Sequence, residues 1–213
     1  MKTDDLIQAL AVDLPARRSH RIERRIMLNL IPAGLLVLAG VGLWLGFRGD
    51  LSYAMIGPTF WAKAGFTAAL AATGFWLLSR LGRPGASVVA PLIALAALLV
   101  GVAGLAVHEL TSMPMPERMP ALMGDSARAC APYIVMLSAL AAPFVFWSAR
   151  AFAPTRPALA GAAAGLLTAG LATTLYGLHC PENTATFVAV WYLTGIALSV
   201  AAGAAIGRLV FRW

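Results

Sequence analysis

TTLYGLHCPENTATFVAVWY, residues 173–192, is a short polar interruption between two long apolar runs. It holds Cys180, one of only two cysteines, with His179 before it and Pro181 after it. The flanking runs, 159–178 and 187–209, are each long enough to cross a hydrocarbon core of about 30 Å at about 1.5 Å per helical residue. Four similar runs precede them, at 26–47, 60–78, 88–107 and 131–147. With 60% hydrophobic and 12% charged residues, the chain lies far from the composition of soluble domains. The reading is all-α: a polytopic membrane bundle of six transmembrane helices with a short N-terminal amphipathic helix.

Basic residues are retained on the cytoplasmic side, so counting them orients the spans. The first 25 residues carry six Lys and Arg, the loops at 79–87 and 148–158 two each, and the C-terminal end two. The alternate connections carry only Arg48, Lys63, Arg118 and Arg128, and the loop around Cys180 carries none. Both termini are therefore expected in the cytoplasm of a bacterium, with the chain in the inner membrane and Cys130 and Cys180 on the periplasmic side. The net charge of +7 then reports topology and calls for no nucleic-acid partner. No small-residue cleavage pattern accompanies the first run, so it reads as an uncleaved span. No span has an acid or base at its middle, which counts against ion-coupled transport. Lys63 reads as an outer-edge lysine that snorkels, and Asn29 as the one buried amide.

Residues 1–25 are expected to form a cytoplasmic segment, and 26–213 the membrane domain. Thr3 can cap a helix with Asp4 and Asp5 in its first turn, and Leu6, Ile7, Leu10 and Leu14 fall on one stripe before Pro15 ends it. A helix of about a dozen residues is marginal alone in water, so the stripe calls for a surface, either the lipid bilayer or a protein. The candidate partner-binding set is Asp5, Leu6, Ile7, Leu10, Asp13, Leu14, Arg17 and Arg18.

A short loop joins spans four and five, so Cys130 and Cys180 should arrive at similar depth. Each precedes an expected helix start, Cys130 before Ala131 and Pro132, and Cys180 before Pro181, where backbone amides favour a thiolate. Exposed thiols of that kind oxidise readily and bind soft metals. His179 is a third candidate ligand, with His108 and Glu109 at the same level. A structural disulfide is the other reading of the pair. Met119, Leu122 and Met123 read as a short helical face on the outer bilayer surface, and the cluster of Met113, Met115, Met119 and Met123 alternatively as a Cu(I) site. Small residues four apart, at Gly42 and Gly46, Gly161 and Gly165, and Gly203 and Gly207, allow close helix approach and leave a homo-oligomer open. No Cys-x-x-Cys, phosphate loop or nucleophile constellation is present, so the chain is not read as an enzyme. A small transporter or metal-efflux component, or a membrane thiol oxidoreductase, are the alternatives to a regulatory protein.

The opening MKTDDLIQALAVDL with the arginines that follow, APTRPALAGAAAG, TLYGLHCPENTATFVAVWY and the final FRW resemble the NrsF family of six-span bacterial anti-sigma factors. The resemblance implies a partner, an extracytoplasmic-function sigma factor held inactive at the cytoplasmic face. It further implies that Cys130 and Cys180 are the thiols that sense heavy-metal or oxidative stress. No obligatory cofactor follows from it; a transient heavy-metal ion is the one ligand the pair is expected to take.

Overall fold

The computed structural model describes residue 3, residues 20–83 and residues 85–211. The N-terminal partner-binding set, Asp5 to Arg18, therefore lies outside the described residues. Among those described, every regular element is helical. Helix α1, His20–Gly40, runs on into a π-helical turn, Val41–Leu45. A short turn of helix, α2 (Leu51–Ala54), leads to α3 (Pro58–Leu81) and α4 (Val89–Ser112). The amphipathic α5 (Met115–Met123) precedes α6 (Ala127–Ala149) and α7 (Pro157–Tyr176). Helix α8 is continuous over Ala185–Val210 and contains a second π-helical turn, Val188–Tyr192.

The bundle is built around α7, which packs against α8, α3, α6 and α1. Its sequence, PALAGAAAGLLTAGLATTLY, starts with proline at a position where the missing amide costs nothing, and has no bulky polar face. Glycines let neighbours reach its backbone on two sides. A Cβ on Gly170 would come 2.5 Å from the Ala71 amide nitrogen of α3, and one on Gly207 of α8 would come 2.6 Å from the Gly161 Cα. The Thr173 and Thr174 hydroxyls donate to carbonyls one turn back at 2.6 and 2.7 Å, which satisfies them inside a dry interface.

Consecutive long helices alternate in direction, as side-chain contacts at the two ends show. At one end, Glu23 of α1 pairs with Arg83 just beyond α3, Asn29 donates to Ser148 of α6 at 2.9 Å, and Phe146 of α6 stacks on Phe211 after α8. At the other end meet the tail of α1, the heads of α3, α6 and α8, and the tails of α4 and α7. Both cysteines fall at this second end. Asn29 is the half-buried amide expected from the sequence.

Four departures from the sequence reading have physical causes. Five helical runs are long and apolar enough to cross a membrane, those containing α1, α4, α5 with α6, α7 and α8, where six were expected. The exception is α3, long enough at 24 residues, whose Lys63, Arg80, threonines and serine dilute its apolar character. Helix α6 begins at Ala127, so Pro132 is an interior proline and Cys130 sits in the first turn, its amide already donating to the Ser126 carbonyl at 2.9 Å. After Cys180 the chain stays extended, and helix resumes at Ala185 with Thr184 as its cap, not at Pro181. Finally, Gly161, Gly165, Gly203 and Gly207 pack on one another within the chain, which uses up the small-residue faces that left an oligomer open. The Gly42 and Gly46 pair makes no such contact: Gly46 takes a positive φ of 79° to turn the chain off α1.

Gly170→Val should force α3 off α7 and cost about 1–3 kcal/mol, seen as a lowered thermal unfolding transition of the detergent-solubilised protein. Gly101→Ala, where an added Cβ meets nothing within 4 Å, should leave the transition in place.

Candidate functional site

At the cysteine end the chain leaves α7 at Tyr176 and passes through Gly177 and Leu178 in a tight turn. The amides of His179 and Cys180 both donate to the Tyr176 carbonyl, at 2.9 and 3.0 Å. This turn aims Cys180 into the bundle. Cys130, in the first turn of α6, faces it, and both residues have no exposed surface. The two residues belong to one buried cluster, with Tyr176 and Tyr192 beside them. The sequence expectation of matched depth holds, whereas the expectation of exposed thiols does not, because α3, α6, α7 and α8 close over the pair.

The wall of the pocket comes from residues that the sequence reading passed over. Lys63 of α3 is only 7% exposed, so it turns inward and does not snorkel. Its ammonium donates to the carbonyls of Cys180 at 3.1 Å and Glu182 at 2.8 Å, and lies 5.6 Å from the centre of the Tyr192 ring. Arg48, 9% exposed, donates to the same Cys180 carbonyl at 3.3 Å and grips Asp50 through two nitrogens at 2.7 and 2.8 Å. That bidentate bond holds the Asp50 carboxyl below its ordinary range. The Ser126 hydroxyl lies 3.8 Å from the Cys180 sulfur and donates to Glu182 at 3.2 Å, while the Glu182 carboxylate also accepts from the Asp125 amide at 2.8 Å. Tyr176 and Tyr192, fully buried with ring centres 5.8 Å apart, close the floor.

For Cys180 the electrostatic outcome is clear. The hydrogen bond from Cys130, joined by the charge of Lys63, holds the Cys180 thiol below the ordinary cysteine range despite the opposing effect of burial.

His179 is near the pocket but differently employed. Its Nδ1 pairs with the Gly46 carbonyl at 2.7 Å, and its ring lies against Tyr176 and Tyr133 at 5.6 and 6.2 Å. Glu109 accepts from both the amide and the hydroxyl of Thr186 at 2.7 Å, which anchors α4 to the start of α8, and His108 is exposed. Among the described residues no group of three or more His, Cys, Asp or Glu side chains converges as a metal site. The methionine-bearing α5 is tied to the same region through Trp191 and Thr184, which donate to the Leu122 and Ala121 carbonyls at 2.9 Å. Met115 and Met119 remain exposed on its other side.

The family description "Negative regulator of sigma F", for NrsF, matches residues 10–213. The chain belongs to the NrsF family. It is 40% identical over 218 residues to the anti-sigma-F factor NrsF of Caulobacter vibrioides, and 38% identical over 217 residues to a probable anti-sigma-F factor NrsF of Azospira oryzae. Each comparison covers the whole of both chains. No solved structure matches. Both relatives are named as regulators and not as enzymes.

Of the residues singled out by spacing alone in this NrsF chain, Cys130 and Cys180 are brought together and His179 is placed beside them on another partner. The trace Lys63 leaves in the sequence is a stripe shared with Thr67, Leu70 and Gly74, which are buried in the bundle while Trp61 and Trp76 face outward; at the head of the helix that stripe does not decide whether the long side chain turns in or reaches water. Glu109→Ala should remove two hydrogen bonds to a charged acceptor and cost about 1–3 kcal/mol, measured as a lower midpoint in thermal unfolding.

Proposed function

We propose that this chain is a six-span membrane anti-sigma factor that sequesters an extracytoplasmic-function sigma factor at its cytoplasmic face, and that Cys130 and Cys180 are its sensing thiols. Helix α3 is the sixth span, since it packs inside the bundle beside α7 and its lysine faces protein. The arginine-rich end, with Arg21, Arg24, Arg25, Arg80, Arg83, Arg150, Arg156 and Arg208, is the cytoplasmic one. The cysteine end is periplasmic. The names of the relatives support the sigma-binding role, and residues 1–25, which run into α1 at the arginine-rich end, are the candidate binding segment.

The observation that carries the sensing role is the meeting of two cysteines 50 residues apart in sequence, both without exposed surface, in one buried cluster. A pair so placed can lose two electrons to form a disulfide, or share a soft metal ion. Either change alters what α6 and the 177–184 segment can pack against. A tenfold release of sigma factor requires the stimulus to favour the released packing by only about 1.4 kcal/mol.

The solubilised full-length protein should co-purify with its sigma factor under reducing conditions and lose it about tenfold on treatment with oxidant or Cd²⁺. Replacing Cys130 and Cys180 together by Ser should preserve capture and abolish release. Deleting residues 1–25 should abolish capture itself. Unaltered release from the double variant would remove the sensing role and leave the sigma-binding role standing.

A further inference from the structure

Lys63 is a buried cation whose hydrogen bonds go to carbonyl oxygens. Among the described residues no carboxylate lies within ion-pair distance of it. An ammonium taken out of water without an anion carries a penalty of several kcal/mol, so the site needs a negative charge close by. The groups that face it can be surveyed one by one. Arg48 adds positive charge, and its own partner is Asp50. The Glu182 carboxylate is turned toward Asp125 and Ser126. His179 pairs with the Gly46 carbonyl, Tyr176 of α7 and Tyr192 of α8 are phenols, and Cys130 of α6 receives no hydrogen bond from Lys63. What is left is the sulfur of Cys180, whose own carbonyl Lys63 holds.

We propose that Lys63 is the counter-ion of a Cys180 thiolate, a positioning residue that makes Cys180 the first thiol to react and leaves Cys130 as the resolving thiol. This deepens the sensor reading of the same pair and rests on it. Three features of the pocket give the asymmetry. Lys63 and Arg48 both reach the backbone of Cys180, and neither donates a hydrogen bond to Cys130. Ser126 lies 3.8 Å from the Cys180 sulfur. Cys180 lies in the irregular segment between α7 and α8, whereas Cys130 is fixed in the first turn of α6.

A hydroperoxide oxidises the pair in two steps. The Cys180 thiolate attacks one peroxide oxygen, the O–O bond breaks, and the other oxygen leaves and takes a proton from water, giving a sulfenic acid at Cys180. The Cys130 thiol then attacks that sulfur, the S–O bond breaks, and the oxygen departs as water with the Cys130 proton. The two sulfurs have lost two electrons and the peroxide has gained them. The disulfide carries no charge, so Lys63 loses its anion while keeping its hold on the Cys180 and Glu182 carbonyls.

The test uses the full-length protein in detergent or nanodiscs, without sigma factor, so that it reads thiol chemistry alone. Sub-stoichiometric hydrogen peroxide with dimedone should label the Cys130→Ser variant at Cys180, and should leave Cys130 in the Cys180→Ser variant labelled at least about tenfold more slowly. The ultraviolet thiolate absorbance of Cys130→Ser, followed against pH, should move upward by about one unit or more on adding Lys63→Met, with about tenfold slower labelling at neutral pH. Lys63→Arg, which keeps the charge, should restore both. Equal labelling of the two cysteines, a thiolate titration unmoved by Lys63→Met, or a failure of Lys63→Arg to restore it would overturn the assignment. None of these outcomes depends on whether sigma factor is bound, so the sensor and sigma-binding readings are judged separately by the release assay above.

Discussion

A single ammonium group organises the cysteine end of this bundle. Lys63 reaches from α3 across to the 180–182 segment and takes two carbonyl oxygens that no helix could satisfy, because the chain there is extended. Unbonded carbonyls in a dry interior are costly, and so is an unbonded cation; each answers the other. Arg48 repeats the arrangement from the turn that follows α1, with its backbone amide also donating to the Leu178 carbonyl at 3.1 Å. Two separate parts of the chain are thereby fastened to one loop, residues 178–182. Cys180 has its position because its carbonyl is held from two sides.

The rest of the assembly supplies the rigid frame for that loop. Thr186 and Glu109 bind α4 to the start of α8, and Trp191 and Thr184 bind α5 to the same place. Tyr176 and Tyr192 fill the volume beside the thiols with rings 5.8 Å apart, and the buried Tyr192 hydroxyl has no hydrogen-bond partner among the described residues. A polar cluster of this kind inside an apolar bundle is expensive to assemble. Such clusters in membrane helices mark the places where a protein acts.

Much of this could be read from the sequence, and the failures have a common origin. Composition and run length give the helices, since a long apolar segment in lipid has no alternative to satisfying its backbone internally. The level of the two cysteines follows from counting residues along two antiparallel helices. What the linear pattern does not carry is which way a polar side chain near a helix end faces. Lys63 at the head of α3 has two solutions, outward to water or inward to carbonyls, and only the partners contributed by residues 180 and 182 decide between them. Pro181 misled in a similar way: proline suits a first helical turn, but here it extends the chain so that Glu182 can turn back to Asp125 and Ser126. Arg48 and Ser126 have no periodic signal at all, because they act from turns.

The glycine seam between α7 and α8 has a mechanical corollary. Where two backbones touch, there are no rotamers to flip and no cavities to fill, so a disturbance cannot be relayed along that line by successive repacking. A helix pair in such contact can only slide or pivot as a stiff unit. Whatever alters one extremity of α7 is therefore felt at the opposite extremity as motion of the whole rod.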